Sequence, residues 1–414
     1  MRFADNLDNV PFDEIEHLLV FLEDLASEKI TLKTKISAVL RSGKSADSLM
    51  KRYKLKGLSA DDQAVILFTS GSEAAPKGVP LTHNNILSNI RSVQNIFKLQ
   101  NDDVVYSFLP PFHSFGLTTT TILPLMLGLR VAHYPNPTEA RKLANGIAKW
   151  KSTLIAGTPT FLDGIIKAAR PGQLDTLRLM VTGAEKAPEE LFEKVSGMSG
   201  DALLLEGYGI TECSPVVSAC HPGDKPVGVG KPIPGVELCI VDLDNRQPVP
   251  QGERGLILVN GPNIFHGYMG GNPPDPFCEL NGKQWYNTGD LGFISDDGSL
   301  VISGRLKRFV KVGGEMVSLP AMESALYEKW PTGEDGPVVA VEAVERQGER
   351  PVISLFSSVP VTEDEANAVL RQAGFSNVVR VSRVDPVDKI PLLGTGKTDY
   401  RSLKKKLAEL LGLQ

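Results

Sequence analysis

Cysteine is scarce, with four in 414 residues: Cys213, Cys220, Cys239 and Cys278. Their scatter excludes the close CxxC pairs of a zinc site, and their number excludes a secreted disulfide scaffold, so a reduced, cytoplasmic compartment is expected. A cationic excess is also missing. Forty-four Lys and Arg against 49 Asp and Glu give a formal net charge of −5, which offers no bulk attraction for nucleic acid or anionic lipid, so any basic docking site must be local. No run suits a membrane span, because the longest uncharged stretch, Val104 to Leu129, carries Pro110, Pro111, Pro124 and four successive threonines. The opening MRFADNLDNVPFDEIEHLL mixes early acids with a short apolar stretch, unlike a signal peptide. Association with the inner face of a membrane would therefore be peripheral.

What is present is an ordinary globular composition, 42% hydrophobic and 22% charged. At roughly 150 residues per domain, the length suits two to three domains. Short β-branched runs, AVILFT at 64–69, VVYSFL at 104–109, RVAHY at 130–134, STLIAG at 152–157 and LRLMVTG at 177–183, alternate with helical patterns, which predicts a parallel α/β arrangement. Thr82 is placed to cap a helix from His83 to about Phe97, with Ile86, Ile90, Val93 and Phe97 facing the sheet. From about Val227 to Ile302, strands broken by Gly, Pro and Asn predict an antiparallel, barrel-like piece. After Gly304 the charged RLKRFVK leads into a smaller α+β unit, with helices near 320–329, 362–373 and 400–411 and strands near 337–343, 352–357 and 378–384. The expected division is 1–304 and 305–414, with the boundary at Arg305 to Arg308.

Four segments carry chemistry. Thr69 to Gly78, TSGSEAAPKG, follows a predicted strand, precedes a helix, and gathers hydroxyls, glycine and Lys77 on one loop, a phosphate-binding composition. A Walker loop is excluded by Pro76 before the lysine and Gly78 after it, where a glycine and a hydroxyl are required. LEGYGITE at 205–212 sits at another strand end, where ligands of α/β folds gather, and offers an aromatic face, Thr211 and the oxygen ligand Glu212. The segment 286–319 supplies Asp290, suited to accept from ribose hydroxyls, and Arg305, suited to phosphate. KIPLLGTGKTD at 389–399 places Lys397 in a Gly-flanked loop.

In this order the four segments resemble the acyl-adenylate-forming superfamily of acyl-CoA synthetases, luciferases and nonribosomal-peptide adenylation domains, over about Ala64 to Lys406. FTSGSEAAPKGV, LPPFHSFGLT, GAEK, EGYGITECSPVVS, GRLKRFVKVGGEMVSL and PLLGTGKTD further resemble the acyl-acyl-carrier-protein synthetase module of the bacterial Aas group. The resemblance implies a large AMP-binding domain and a small mobile lid. It implies that Thr69, Ser70, Gly71, Ser72 and Lys77 hold the phosphates of ATP, and that Gly183, Ala184 and Glu185 border adenine. Tyr208, between Gly207 and Gly209, would stack on the base. Thr211 and Glu212 would serve phosphate and Mg2+, Asp290 the ribose, and Arg305 the ribose-phosphate side. Lys397 matches the adenylation lysine and His113 the mouth of the acyl pocket. Lys307 matches the hinge, while Val312 to Glu315, with Gly313 and Gly314, would line a tunnel for a phosphopantetheine thiol.

Each residue taken singly has a plainer reading. His113 suits a core histidine, Asp290 a turn, and Glu185 a partner for Lys186. Arg305, Lys307, Arg308 and Lys311 suit a solvated strip, or a face for an acidic carrier protein. Only 68 residues precede Thr69, fewer than the superfamily carries. That implies an incomplete first subdomain, from a shortened gene or from a longer polypeptide fused to an acyltransferase. Three functions stand: activation of a long-chain fatty acid with transfer to acyl carrier protein; an acyl-CoA or aryl-acid CoA ligase; and a non-catalytic nucleotide-binding remnant.

Overall fold

The computed structural model describes residues 22–55, 57–69, 77–198, 202–223, 227–270, 275–312, 315–333, 336–345, 350–376, 378–392 and 398–413. Its contacts divide the chain into two compact units, Met1–Ala60 and Asp61–Gln414. In the first, helices span Leu22–Lys29, Leu32–Ser42 and Ala46–Arg52. Thr31 and Ser45 cap the second and third by accepting from Thr34 and Ser48 N–H, and neither of these two helices has a buried residue.

The second unit opens with an antiparallel hairpin, β1 (Gln63–Thr69) and β2 (Lys77–Thr82). Here the expectation of a parallel strand at 64–69 is corrected. A parallel strand is buried on both faces, whereas Leu67 is buried but Phe68 is 70% exposed. The next described element after β1 is consequently a strand, not a helix.

Seven strands follow: β3 (Val104–Ser107), β4 (Arg130–His133), β5 (Leu154–Gly157), β6 (Leu179–Thr182), β7 (Leu203–Gly209), β8 (Val216–Ala219) and β9 (Lys231–Pro232). Their order is β4-β3-β5-β6-β7-β8-β9, parallel as far as β7 and antiparallel beyond it. Pleating sends alternate residues to opposite faces. Val105, Leu154 and Leu179 join a core with helix His83–Phe97, while Tyr106, Ile155 and Met180 pack with helices Ala140–Trp150 and Pro159–Ala168. The expected antiparallel piece is a five-stranded sheet of β10 (Glu237–Val241), β11 (Gly255–Asn260), β12 (Phe277–Leu280), β13 (Lys283–Ile294) and β14 (Leu300–Arg305).

The remainder builds the α+β part from hairpin β15 (Phe309–Val312) and β16 (Glu315–Ser318), helices Leu319–Tyr327, Glu363–Gln372 and Tyr400–Leu410, and the sheet of β17 (Val339–Val344), β18 (Val352–Ser357) and β19 (Arg383–Pro386). The strand expected at 378–384 begins only at Arg383. Asn367 is the reason: its amide accepts from Val381 N–H at 2.8 Å and donates to Val381 O at 2.9 Å, occupying the groups a ladder would use.

Helix His83–Phe97 carries a buried polar stripe besides its apolar one. Thr82 and Asn85 form a capping box. The Asn85 amide donates to Pro262 O and Ile264 O at 2.9 and 2.8 Å, and Ser92 donates to Pro234 O at 2.6 Å. Asn89 donates to Cys213 O and Val216 O at 3.3 and 2.7 Å, and Asn263 donates to the same two carbonyls at 2.8 and 3.1 Å. Residues 85, 89 and 92 recur at helical spacing, so one face of this helix holds three segments of the unit in register.

β7 carries a buried carboxyl inward. Glu206 accepts from Ala187 N–H at 3.0 Å, and burial pushes its pKa from 4.5 up to about 6, offset in part by that hydrogen bond and by Lys186. Raised in the folded state, this group stabilises fully below pH 4.5, and its contribution fades as pH rises through about 6, by about 2 kcal/mol. Glu206→Gln keeps the acceptor without the titration. Its stability advantage over the native chain, from urea unfolding, is expected to grow between pH 4.5 and 7; a pH-independent difference would contradict the shift. In the same assay Asn89→Ala is expected to cost about 2 kcal/mol. Asn89→Ala with Asn263→Ala is expected to cost more than the sum, because each amide still covers both carbonyls when the other is removed.

Candidate functional site

A cavity of about 570 Å³ opens at the carboxyl ends of the parallel strands, the position where open α/β sheets bind ligands. Its wall takes Thr182, Gly183 and Ala184 from the end of β6, Gly207, Tyr208 and Gly209 from the end of β7, and Thr211 and Glu212 from the 3-10 turn that follows. Thr69 and Lys77, register partners at the tip of the β1–β2 hairpin, complete one side; Arg305 and Lys307 line another. His113 lies on the wall before the short helix Ser114–Leu117. At Gly209 a Cβ would lie 2.3 Å from Pro215 O, so only glycine permits this approach of β7 to the next turn.

Asp290 and Arg305 are register partners across β13 and β14. Asp290 is buried behind the wall, accepting from Tyr208 Oη at 2.5 Å and from Arg305 Nε at 3.0 Å. Burial and the Asp290 charge hold the Tyr208 phenol well above its ordinary pKa, so it stays a donor. Glu212 accepts from Tyr268 Oη at 2.7 Å, and Tyr268 Oη lies 3.3 Å from Tyr286 Oη. The Lys77 ammonium sits 4.5 Å from the centre of the Tyr268 ring. Tyr268 and Tyr286 are raised above their ordinary pKa, first by burial and then by the Glu212 charge. Thr211 is 3.2 Å from Ser114 Oγ.

Of the residues singled out from sequence, the cavity gathers Thr69, Lys77, His113, Gly183, Ala184, Gly207, Tyr208, Gly209, Thr211, Glu212, Arg305 and Lys307, with Asp290 directly behind. Glu185 is turned off the wall, accepting from Thr160 at 2.8 Å. Ser70, Gly71, Ser72, Gly313, Gly314 and Lys397 lie outside the described residues. The basic strip is corrected at Arg308, whose side chain is only 14% exposed. It is bonded to Glu323 and to Val341 O at 2.7 Å, and lies 3.4 Å from the centre of the Tyr400 ring. Val312 is likewise buried in the core of the α+β part. Sequence reasoning missed Tyr268 and Tyr286, since an isolated Tyr in a strand-rich piece carries no chemical signature apart from its neighbours.

From these polar groups the cavity runs back along the sheet face towards the starts of β3, β5 and β6. There Val105, Leu154 and Leu179 meet Val93 and Phe97 of the helix, with Leu99 and Leu123. The rise from Leu179 to Thr182 is about 10 Å of strand. Among the described residues that line this arm, none is charged.

The model of the AMP-binding enzyme family matches residues 10–269. Two relatives are 4-coumarate--CoA ligase 2 of Petroselinum crispum and 4-coumarate--CoA ligase 1 of Solanum tuberosum, each 30% identical over 85% of this chain and 66% of their own length. The chain thus spans just under two thirds of these relatives. ATP-bound MatB from Rhodopseudomonas palustris superposes with a TM-score of 0.72 at 25% identity, covering 85% of this chain and 70% of that one. MenE from Bacillus subtilis, in complex with ATP and magnesium ion, has a TM-score of 0.73 at 24% identity over 84% and 71%, a likeness of fold. The two 4-coumarate relatives are named as CoA ligases and MenE as a coenzyme A synthetase, not as the carrier-protein synthetases that the shorter motifs resemble. With the family model covering more than half of its residues, the chain belongs to the AMP-binding enzyme family.

Proposed function

We propose that this chain is an ATP-dependent, AMP-forming acid–thiol ligase that activates a carboxylic acid with an apolar body and passes it to coenzyme A. The observation that carries this reading is one cavity with Lys77, Glu212, Thr211 and the Tyr208–Asp290–Arg305 group at the strand ends and an uncharged apolar arm behind them. In the first half-reaction the acid's carboxylate oxygen attacks the α-phosphorus of ATP and pyrophosphate leaves. In the second, the thiol attacks the acyl carbon and AMP leaves. Asp290 is assigned to the ribose side, acting through the Tyr208 and Arg305 groups it holds from behind the wall; Tyr208 is assigned to adenine, and Arg305 and Lys77 to the phosphates. Lys397 is assigned to the carboxylate and α-phosphate, where fixed positive charge stabilises the transition state. Lys307 is assigned to the hinge that exchanges the two half-reactions.

Magnesium fits the donor set in one way. Among the described residues no cluster of three His, Cys, Asp or Glu could hold a metal ion. Glu212 and Thr211 offer oxygens beside the place proposed for the phosphates, the usual Mg2+ arrangement of one carboxylate with substrate oxygens. When bound there, the ion would neutralise phosphate charge. Tyr268 orients the Glu212 carboxylate through its hydrogen bond and seats Lys77 on its ring.

The apolar arm supports a fatty or an aromatic acid. For the acceptor, the relatives' names support coenzyme A, and the inward turn of Arg308 removes one residue of the strip that would have met an acidic carrier protein. Acid-dependent exchange of labelled pyrophosphate into ATP is the direct test, run across fatty acids of several lengths and 4-coumarate. Exchange is expected with apolar acids, and Lys397→Ala is expected to lower it about 100-fold. No exchange from folded protein would favour the non-catalytic remnant. Given both acceptors, thioester is expected on coenzyme A; thioester only on carrier protein would restore the other reading. Tyr268→Phe is expected to raise the Mg2+ concentration for half-maximal exchange about tenfold, whereas Tyr268→Leu should also weaken ATP. An unchanged Mg2+ response in Tyr268→Phe would remove Tyr268 from this role.

A further inference from the structure

We propose that the stretch from Lys29 to Leu58 in the first unit is a docking surface for an anionic phospholipid bilayer. Helix Leu32–Ser42 carries Leu32, Ile36, Val39 and Leu40 at 74, 53, 72 and 72% exposure. At about 100° per residue these four fall within one narrow stripe along the helix. Scattered surface leucines are ordinary; a contiguous stripe on a helix with no buried residue is not.

The charges are arranged around that stripe. On the helical wheel Lys33 borders one side and Lys35 the other, with Arg41 near the opposite face. Over Lys29 to Leu58 the sequence holds nine Lys or Arg against one acid, Asp47, in a chain whose formal net charge is −5. The apolar side chains continue past the helix with Met50, Tyr53, Leu55 and Leu58, all exposed. An amphipathic helix with lysines flanking its apolar face lies in the plane of a bilayer interface, the leucines below the headgroups and the ammonium groups among the phosphates. The first contribution scales with apolar area, and the second requires anionic lipid. Since the whole chain is net acidic, the cationic excess is concentrated in this stretch. The caps from Thr31 and Ser45 fix the starts of helices Leu32–Ser42 and Ala46–Arg52 locally, so the surface is helical before it meets lipid.

The inference is independent of the ligase reading, since it concerns binding alone. The test is flotation of the full chain with vesicles of pure phosphatidylcholine and of phosphatidylcholine with one quarter phosphatidylglycerol, at low and high salt. Binding is expected to the anionic vesicles only, and to fall with salt. Lys33→Gln with Lys35→Gln is expected to weaken it about 30-fold, and Ile36→Ser with Leu40→Ser by at least about tenfold. These side chains are exposed, and unchanged circular dichroism and thermal transition confirm that the variants fold. Absence of binding to either vesicle, or equal binding to both with no response to the lysine substitutions, would overturn the proposal. So would a concentration-dependent dimer in sedimentation that Leu40→Ser disperses while vesicles stay unbound, because the stripe would then belong to a second copy.

Discussion

The site depends on one constraint: the carbonyls of the turn after Glu212 must be satisfied without water inside a packed core. Cys213 O and Val216 O point into the protein, and each receives two amide donors, from Asn89 and from Asn263. A buried carbonyl without a donor costs on the order of 1–3 kcal/mol, so this turn has little freedom to move. Glu212 and Thr211 sit immediately before it. Their place on the cavity wall is therefore fixed from behind by a helix that itself faces the sheet, and the same helix, through Asn85 and Ser92, holds the segments at 262–264 and 234. Tyr268 follows the first of these segments closely, which brings its hydroxyl to Glu212.

This explains which parts were legible in the sequence. Helix His83–Phe97 is legible to its ends because Thr82 and the apolar spacing are local signals, and β3 to β6 because β-branched runs bounded by turns are local too. The polar stripe at 85, 89 and 92 was not read. Two asparagines and a serine on a helix look like a solvated face until the tertiary partners of their side chains are known. β1 was misplaced for a related reason: its run of β-branched residues is the same whether one face or two are covered, and only the exposure of Phe68 separates a hairpin from a buried parallel strand. The late start of β19 needed Asn367, some 14 residues away and on a helix.

Within the site the motifs were legible as a set and their internal geometry was not. Asp290 and Tyr208 are 82 positions apart, yet meet because β7 ends where β13 turns towards Arg305. Tyr268 and Tyr286 escaped notice because what qualifies them is contact with Glu212 and Lys77. Arg308 shows the converse. A run of basic residues reads as one surface, but the 3-10 turn Leu306–Arg308 rotates successive side chains to different sides. Lys307 meets the cavity, and Arg308 enters a box made of Glu323, Tyr400 and a backbone carbonyl.

That box bears on how the α+β part is held. Glu323 accepts from Arg308, from Tyr400 Oη at 2.9 Å and from Val341 N–H at 2.7 Å, so its carboxylate joins helix Leu319–Tyr327, β17 and the start of the last helix around the guanidinium. Breaking a buried pair by removing one partner costs more than the pair contributes, which makes Arg308 a fixed point one residue beyond Lys307. Helix Leu319–Tyr327, β17 and the start of the last helix therefore share one buried cluster with the turn Leu306–Arg308, and removing any one of its side chains leaves the others short of a partner.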